Sequence, residues 1–474
     1  MAESSYRQRS LILVICCMSL FIGGLDLTIV NVALPSIQRD FHASVSDLQW
    51  TIDAYSLVIA CLLMLSGSMA DRFGRRRVFQ IGVFTFALGS LLCSVAPGLG
   101  WLVAFRGMQA VGGSMLNPVA LSIIVNTFTD PKERAKAIGI WASVFGLSLA
   151  LGPVVGGVLV SGIGWRSIFW INVPIGVAAI VLTQIFVPES KAARARRIDP
   201  FGQGIVVVML GSLTYGIIEG PNRGWSSPII LGLFVLSALS AVALVVTELR
   251  RREPLIDVRF FRSVPFSGAS LMAVAAFGVL GAFLFLNTLY LQDVRHYSAL
   301  ESGLLTLPVA LMLFIFARVS GSLVGSRGPR LPLALAGVPL AVGALLLTHL
   351  TGHTSIYYLI VAYLFIGIGC GLVNAPISNT AMSGMPIDQA GVAGAVASTS
   401  RQVGSSLGVA VTGSIVAAGT GATFISSSHA AWMVIAGCGV AIIFLGLVST
   451  GEWAQETARR NGERLARRSK ERVS

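Results

Sequence analysis

Long apolar stretches separated by short polar ones run along almost the whole chain of 474 residues. Each stretch is close to the roughly 20 residues that an α-helix needs to cross about 30 Å of hydrocarbon. The pattern predicts fourteen membrane-spanning helices, at residues 11–33, 48–70, 78–96, 102–126, 136–160, 167–187, 202–220, 228–248, 266–290, 303–324, 332–349, 355–378, 391–418 and 430–450. We therefore predict an all-α integral membrane protein.

One loop between two predicted helices occurs twice, at residues 67–77 and, less complete, at 321–330. Four positions match about 254 residues apart: Gly67, Ser68, Gly74 and Arg76 recur as Gly321, Ser322, Gly328 and Arg330. A duplicated loop in a membrane chain indicates two homologous halves, which is common in secondary transporters. The prediction is a cytoplasmic N-terminus (1–10), a six-helix bundle (11–187), a linker with two inserted helices (188–265), a second six-helix bundle (266–450) and a basic cytoplasmic tail (451–474).

The composition agrees with a membrane protein, since 54% of the residues are hydrophobic and 12% are charged. The net charge of +13 would also suit a nucleic-acid partner. The basic residues, however, lie in short clusters between apolar segments, as membrane orientation requires, so we expect no nucleic-acid partner. The first stretch is too long for a signal-peptide core and lacks a small-residue cleavage site, so we expect it to remain as the first span.

The distribution of basic residues predicts the orientation. With the N-terminus in the cytoplasm, 27 lysines and arginines fall in cytoplasmic segments and only four in outer loops. The positive-inside rule then places both termini in the cytoplasm. The preference for Arg over Lys indicates a GC-rich bacterial genome, and hence the bacterial cell (inner) membrane. The basic residues at 459–472 are either a solvated charge run or a site for anionic lipid.

Charged residues inside the predicted spans are the main candidates for chemistry, because each costs about 2.5–3.5 kcal/mol on insertion scales. Asp26 lies about 22 Å into the first span at ~1.5 Å per residue. Asp53 and Arg106 enter the second and fourth spans from the outer side, which places all three at one level. Two carboxylates near one guanidinium would make a proton site. The alternative is a buried salt bridge that only locks the helices.

The C-terminal half has few charged residues within its spans. Between Ser302 and Thr450 the only acidic residue is Asp388, at a predicted cytoplasmic end, so Arg401 has no carboxylate at its level. Arg401 either meets substrate or bonds helix carbonyls. The remaining candidates for a substrate cavity are polar or aromatic side chains in the spans: Asn31, Trp50, Tyr55, Phe105, Gln109, Asn287 and Asn374.

The common motifs of metal- and nucleotide-dependent enzymes do not occur in the sequence. The six cysteines lie inside apolar runs, and the five histidines lie in outer loops or at outer helix ends. We therefore predict no catalytic site, no metal and no cofactor. A non-transporting membrane protein, such as an enzyme or assembly factor, would need a catalytic constellation or a large extramembrane domain, and the sequence indicates neither.

Five motifs, in order along nearly the whole chain, resemble the major facilitator superfamily and specifically its fourteen-helix drug/proton antiporter branch. They lie at residues 25–35 of the first span, 67–77 after the second, 106–112 of the fourth, 146–157 of the fifth and 165–176 of the sixth. Ala110 stands where the family usually has Gly, but Arg106 is in place.

The resemblance implies roles for individual residues. Asp26 matches the first-helix Asp that is implicated in proton coupling, and Arg106 would tune it. The loop at 67–77 matches a cytoplasmic gate, with Asp71 and Arg75 stabilising it; its candidate residues are Gly67, Asp71, Arg72, Gly74, Arg75 and Arg76. The fifth-span motif points to export, through Gly146, Gly152, Pro153, Gly156 and Gly157. Asp53 has no counterpart in the family pattern and rests on the depth argument alone.

These observations predict a proton-coupled antiporter that exports small lipophilic, cationic drugs or antibiotics by alternating access. We expect protons as the coupling ion, membrane lipid around the protein, and a monomer. The alternative in the same fold is a dedicated exporter or importer of one metabolite, whose anionic group would suit Arg401.

Overall fold

The computed structural model describes residues 6–192, 199–251, 257–385, 390–417 and 422–473, and within these ranges the secondary structure is helical, without β-strands. The α-helices are α1 (Tyr6–Phe41), α2 (Val45–Phe73), α3 (Arg75–Ser94), α4 (Leu99–Thr127), α5 (Pro131–Gly162), α6 (Ser167–Trp170), α7 (Asn172–Phe186), α8 (Pro200–Arg223), α9 (Pro228–Arg250), α10 (Val264–Leu289), α11 (Ala299–Arg327), α12 (Arg330–Leu347), α13 (Ile356–Met382), α14 (Ala390–Val416), α15 (Ala422–Ser449) and α16 (Glu452–Val473). A 3₁₀ turn (Val258–Arg262) precedes α10, and a π turn (Tyr290–Val294) follows it.

Each of the fourteen predicted spans falls on a helix, so the all-α membrane fold is confirmed. Thirteen helical segments of the described residues are long and apolar enough to cross a membrane by length and composition. The helix α14, which corresponds to the predicted span 391–418, is not among them, because Arg401, Gln402 and several serines interrupt its apolar run.

Side-chain caps fix several helix starts, among them those of α2 and α5. Before α2, the Ser44 hydroxyl accepts a hydrogen bond from the Asp47 N–H at 3.3 Å, and the Asp47 carboxylate accepts one from the Ser44 N–H at 2.9 Å. Before α5, the Asp130 carboxylate accepts from the Lys132 and Glu133 N–H groups, both at 2.9 Å. These caps satisfy backbone donors that the first turn of a helix leaves without a partner.

The described residues form two compact units. The first comprises the chain up to Asp199 together with Leu291–Leu307, and the second comprises Pro200–Tyr290 and the chain from Pro308 onward. The helices α8 and α9, which the sequence assigns to a linker, group with the second unit. The domain boundaries drawn from the sequence stay a prediction.

The first unit is held together by an apolar core between its helices. Core residues include Ile12 of α1, Phe79 and Phe86 of α3, and Leu116 and Val119 of α4, each at most 1% exposed. Because the same helices also carry Asp26 and Arg106, this core fixes the backbone positions from which those side chains project.

In the second unit, α10 and α14 approach so closely that their backbones touch at glycines. A side chain at Gly404 would overlap the backbone of Val274, and one at Gly408 would overlap the backbone of Gly278. Small residues permit this kind of packing between membrane helices, where van der Waals contact replaces the hydrophobic effect as the driving force.

The predicted sixth span, 167–187, is interrupted near its beginning. The four-residue helix α6 ends at Trp170, and α7 begins at Asn172 after Ile171. The interruption matters because Phe169 and Asn172, which lie on either side of it, both reach the buried charges described below.

The tail predicted only as a basic segment forms the helix α16. Its buried residues Ala454, Ala458 and Leu465 share one side, and the Thr457 hydroxyl accepts a hydrogen bond from the Val264 N–H at 3.1 Å. Hydrogen bonds from Arg459 and Arg460 lower the pKa of Glu456 to about 2. The high density of charge hides the apolar side of this helix in a hydropathy reading.

Several predicted cytoplasmic or cytoplasmic-end charges lie outside the described residues: Arg194, Arg196, Arg197, Arg252 and Asp388.

Candidate functional site

A buried ion pair joins α1 to α4 within the first unit. The Arg106 Nη1 donates to Asp26 Oδ2 at 2.6 Å, and the two side chains are 2% and 0% exposed. Removing one partner of such a pair would leave an uncompensated charge in a dry environment, which is strongly destabilising. The sequence-based prediction brought these two residues to one level, and the structure places them in direct contact.

Three polar side chains complete the surroundings of Asp26. Gln109 Nε2 donates to Asp26 Oδ1 at 2.9 Å, while its Oε1 accepts from Arg106 Nη1 at 2.7 Å. Asn172 Nδ2 lies 3.4 Å from Asp26 Oδ1. The Ser90 hydroxyl accepts from Gln109 Nε2 at 3.2 Å and from Asn172 Nδ2 at 2.9 Å. Asp26 is therefore the acceptor at the centre of a buried network.

The Arg106 guanidinium is also held by groups outside this network. Its Nε donates to the Thr51 carbonyl oxygen at 3.2 Å, and its central carbon lies 4.2 Å from the Tyr55 ring centroid and 5.7 Å from that of Phe169. Aromatic faces attract a desolvated cation. A proton on Asp26 would remove the charge that pairs with Arg106, so protonation and the state of the ion pair are coupled.

Asp53 is fully buried on α2, two residues beyond Thr51. Arg106 forms its ion pair with the carboxylate of Asp26. A role for Asp53 in proton coupling stays a prediction.

The other cavity candidates of the first unit have different surroundings. Tyr55 is buried against Arg106, whereas Trp50 and Phe105 are half-buried, and Phe105 packs on Trp101 with ring centroids 5.6 Å apart. Asn31 Nδ2 donates to the Leu27 carbonyl oxygen of its own helix at 3.2 Å. Among the described residues, Asn31 Oδ1 is buried and accepts no hydrogen bond.

The glycines of the fifth-span motif make α5 cross α1 in close contact. A Cβ at Gly152 would overlap Thr28, and one at Gly156 would lie 2.9 Å from Ile29 Cγ1. At Gly157 it would lie 2.7 Å from the Ala299 carbonyl oxygen, which belongs to the same unit. By contrast, a Cβ at Gly146 would meet nothing within 4 Å.

We expect Gly152→Ala to destabilise the protein by about 1–3 kcal/mol, because the new methyl group forces α1 and α5 apart. Gly146→Ala on the same helix is the control, and it should be neutral or stabilising by up to about 1 kcal/mol, since Ala favours the helix. The measurement is the apparent melting temperature of each purified variant in detergent. Equal melting temperatures for the two variants would contradict the close crossing.

Pro153 belongs to the same helix contact. A Cβ at Gly303 of α11 would overlap the Pro153 carbonyl oxygen. The helix α5 therefore also packs closely against the N-terminal end of α11. Gly303 and Pro153 both belong to the first unit.

The predicted gate loop is a single glycine between two helices. Gly74 has a φ of 111° and separates α2 from α3, while Arg75 Nη2 donates to Asp71 Oδ1 at 2.9 Å across it. Arg72 is exposed, and Gly67 faces Pro118 of α4. The Asp71–Arg75 pair thus bridges the end of one helix and the start of the next.

Glu189, which the sequence reading did not single out, lies beneath this loop. Its Oε1 accepts from the Arg76 N–H at 3.1 Å and its Oε2 from the Arg77 N–H at 3.3 Å, at the first turn of α3. Carboxylates at a helix N-terminus are stabilised by its free N–H groups and its dipole. The carbonyl oxygen of the next residue, Ser190, accepts a hydrogen bond from the Arg75 N–H at 2.9 Å. These three hydrogen bonds, which we call the Glu189 clamp, connect the segment after α7 to the loop.

The second copy of the loop also has a glycine with a positive φ at the junction of two helices. Gly328 has a φ of 76° between α11 and α12, and a Cβ there would meet no described residue within 4 Å. At Gly74 a Cβ would lie 2.6 Å from Glu189 Oε1.

We expect Gly74→Ala and Gly328→Ala each to destabilise the protein by about 1–3 kcal/mol, because side chains other than glycine rarely adopt a positive φ. The collision with Glu189 should add to this only at Gly74, so its melting temperature should fall further than that of Gly328→Ala. Equal losses would show that Glu189 does not lie against this loop.

Arg401 of α14 is a charged residue within a predicted span of the second unit. Its Nη2 donates to the Ser378 hydroxyl at 2.6 Å, and its guanidinium carbon lies 5.7 Å from the Phe277 ring centroid. Among the described residues no carboxylate pairs with Arg401, and its buried Nε has no hydrogen-bond acceptor. Within the described ranges, the positive charge is therefore compensated by a hydroxyl and an aromatic ring.

The two asparagine candidates of the second unit differ in burial. Asn287 is 3% exposed, and its Oδ1 accepts a hydrogen bond from the Tyr363 hydroxyl, which joins α10 to α13. Asn374 is exposed on α13.

The sequence contained signals for two of the residues that it did not lead us to single out. Asn172 lies within the motif at 165–176, and Ser90 is a polar residue in the apolar run 78–96. The sequence contained no comparable signal for Glu189, because a single acidic residue after a predicted span cannot be distinguished from an ordinary charged residue of a loop.

The family model of the Major Facilitator Superfamily matches residues 16–409 of the chain. The multidrug resistance protein Stp of Mycobacterium tuberculosis (strain CDC 1551 / Oshkosh) is 38% identical over 417 residues, which cover 88% of this chain and 78% of that protein. The tetracenomycin C resistance and export protein of Streptomyces glaucescens is 37% identical over 412 residues, which cover 85% and 74%.

Among solved structures, the chain is similar in fold to a bacterial homolog of the human lysosomal transporter Spinster, crystallised in an inward-facing and unoccupied conformation. The TM-score is 0.67 at 17% sequence identity, and the alignment covers 97% of this chain and 99% of that chain.

Proposed function

Because the chain belongs to the Major Facilitator Superfamily, we propose that it exports small drug-like molecules from the cell in exchange for protons. The superfamily consists of membrane transporters, so the chain is a multi-pass transporter and not an enzyme. Two relatives that are more than a third identical to it over the aligned residues are named for multidrug resistance and for tetracenomycin C resistance and export. Those names support efflux as the direction of transport.

The observation that carries the proposal of proton coupling is the buried Asp26 between Arg106, Gln109 and Asn172. Intramembrane carboxylates are costly and commonly form proton relays in transporters. In the proposed cycle, Asp26 takes up a proton from the outer side, its pairing with Arg106 weakens, and the proton leaves to the cytoplasm as the transporter changes state. Both termini lie in the cytoplasm in this proposal, as the basic clusters predict.

Alternating access supplies the link between proton and substrate in this proposal. The Asp71–Arg75 pair and the Glu189 clamp would hold the cytoplasmic end of α2 and α3 in one state. Arg106 contacts Thr51 of α2 as well as Asp26 of α1. A change in the Asp26–Arg106 pair would therefore reach both helices directly.

The test is transport of the cationic dye ethidium by purified protein in proteoliposomes with an imposed pH gradient. We expect dye movement that depends on the direction of the gradient and stops when an ionophore collapses it. Movement that ignores the gradient would refute proton coupling while leaving transport intact, and no movement of ethidium would count against a broad cationic specificity.

Arg401 favours a second candidate function in the same fold, the export of one metabolite with an anionic group. A buried guanidinium without a carboxylate partner among the described residues would bind a carboxylate or phosphate of a substrate. Transport of an anionic dye should then fall at least roughly tenfold in Arg401→Gln, the equivalent of losing one charge-assisted contact, while ethidium transport is unchanged. Loss of both activities would instead indicate a structural role for Arg401.

A further inference from the structure

An open apolar groove lies between α8 and α9 in the second unit. It has a volume of about 460 Å³, and its walls include Phe201, Ile205 and Val208 of α8 with Leu239 and Ala243 of α9. Phe201 and Leu239 are 61% and 63% exposed. Both helices are long and apolar enough to cross a membrane, and an apolar groove between two such helices suits an acyl chain.

A positive charge stands at one end of this groove. The guanidinium carbon of Arg251, immediately after α9, lies 5.7 Å from the ring centroid of Phe201, which is itself part of the groove wall. Arg250 is exposed next to it. The groove also begins at Pro200, the first residue of α8, where the helix dipole favours negative charge. Asp199, which directly precedes that helix start, is 3% exposed.

An apolar groove with a positive charge at one end has the two features that an anionic phospholipid requires, a surface for its acyl chain and a cation for its phosphate. We propose that the α8–α9 groove binds an anionic phospholipid, with an acyl chain between the two helices and the phosphate at Arg251. Under the orientation predicted from the basic clusters, the headgroup lies in the cytoplasmic leaflet. A zwitterionic lipid would fill the groove but would not gain the same attraction from Arg251.

This lipid site is separate from the proposed transport chemistry. The groove belongs to the second unit, whereas Asp26 and Arg106 belong to the first. Its existence therefore does not depend on whether the transporter exports drugs or uses protons.

The experiment measures lipid binding to the full chain, delipidated in detergent, by native mass spectrometry. The protein is titrated with phosphatidylglycerol or with phosphatidylcholine of the same acyl chains. Two substitutions test the two parts of the site: Arg251→Gln removes the charge, and Gly204→Leu fills the groove. A Cβ at Gly204 meets no described residue within 4 Å, and the same is true of Gly211 on the same helix. Gly211→Leu, outside the groove, is therefore the matched control.

We expect the wild type to bind phosphatidylglycerol more tightly than phosphatidylcholine. Arg251→Gln should weaken phosphatidylglycerol binding about fivefold, the equivalent of about 1 kcal/mol for one arginine at the membrane surface, and leave phosphatidylcholine unchanged. Gly204→Leu should weaken both lipids, and Gly211→Leu should match the wild type.

Two results would overturn the proposal. Equal affinity of the wild type for both lipids would show that Arg251 does not bind the phosphate of the headgroup. Wild-type binding by Gly204→Leu would show that the retained lipid lies outside the groove. Arg251→Lys, which keeps the charge, should bind like the wild type and shows that the loss in Arg251→Gln does not come from misfolding.

Discussion

Asp26→Asn is expected to reduce pH-gradient-driven ethidium transport to the level of protein-free liposomes. Asn has nearly the same shape as Asp but no proton to exchange, and it cannot neutralise Arg106 at 2.6 Å. If Asp26 carries the proton, ethidium should still bind and should still equilibrate across the membrane without a gradient. The measurement is initial dye uptake into proteoliposomes with and without the imposed gradient.

Asp40→Asn is the matched control, since it makes the same substitution on the same helix. Asp40 pairs with Arg166 at 2.8 Å, but its side chain is 43% exposed, so it should retain gradient-driven transport. Unchanged coupling in Asp26→Asn would remove Asp26 from the mechanism and make Asp53, which is also fully buried within a predicted span of the first unit, the next residue to test.

The second large effect is on stability. Arg106→Gln should lower the free energy of unfolding by about 3–5 kcal/mol, because it leaves the Asp26 carboxylate buried without its cation. The contacts of Arg106 with the Thr51 carbonyl and the Tyr55 ring are lost at the same time. The apparent melting temperature of the purified variants in detergent measures this loss.

The double variant Asp26→Asn/Arg106→Gln separates charge from packing. With both charges removed, much of the stability should return, since the burial cost of an unpaired ion disappears. Arg166→Gln, which breaks the exposed pair with Asp40, should cost only about 0–1 kcal/mol. If Arg106→Gln were no worse than Arg166→Gln, the pair would not be buried as the structure places it.

The two effects also distinguish the two readings of the ion pair that the sequence left open. A bridge that only locks the helices predicts that the double variant is stable and transports normally. A proton site predicts that the double variant regains stability but not coupling. Stability and coupling therefore have to be measured on the same preparations.

The apolar runs in the sequence were sufficient to predict the membrane-spanning helices, because the bilayer imposes one simple requirement. An apolar run of about 20 residues has to satisfy its backbone internally and so forms a helix. All fourteen predicted spans fall on helices for this reason. The rule fails for α16, where a narrow apolar side formed by Ala454, Ala458 and Leu465 is hidden among charges.

The duplicated loop was also predictable, since a positive φ at a helix junction favours glycine. Gly74 and Gly328 were matched from the sequence, and both have that backbone form. The clamp under the first loop was not predictable, because Glu189 is more than a hundred residues away along the chain and meets it only through the packing of α7 on α3.

The helices, the membrane environment and the few charges within the spans could be predicted from the amino-acid sequence, because each follows from local composition and the cost of burying charge in lipid. Which of these charges meet depends on how the helices pack. Depth along a helix axis placed Asp26, Asp53 and Arg106 at one level, but contact also requires the correct rotation of each helix and the correct neighbours. Helix packing supplies both: it pairs Arg106 with Asp26, brings Asn172 to the same carboxylate, and places the Ser378 hydroxyl against Arg401.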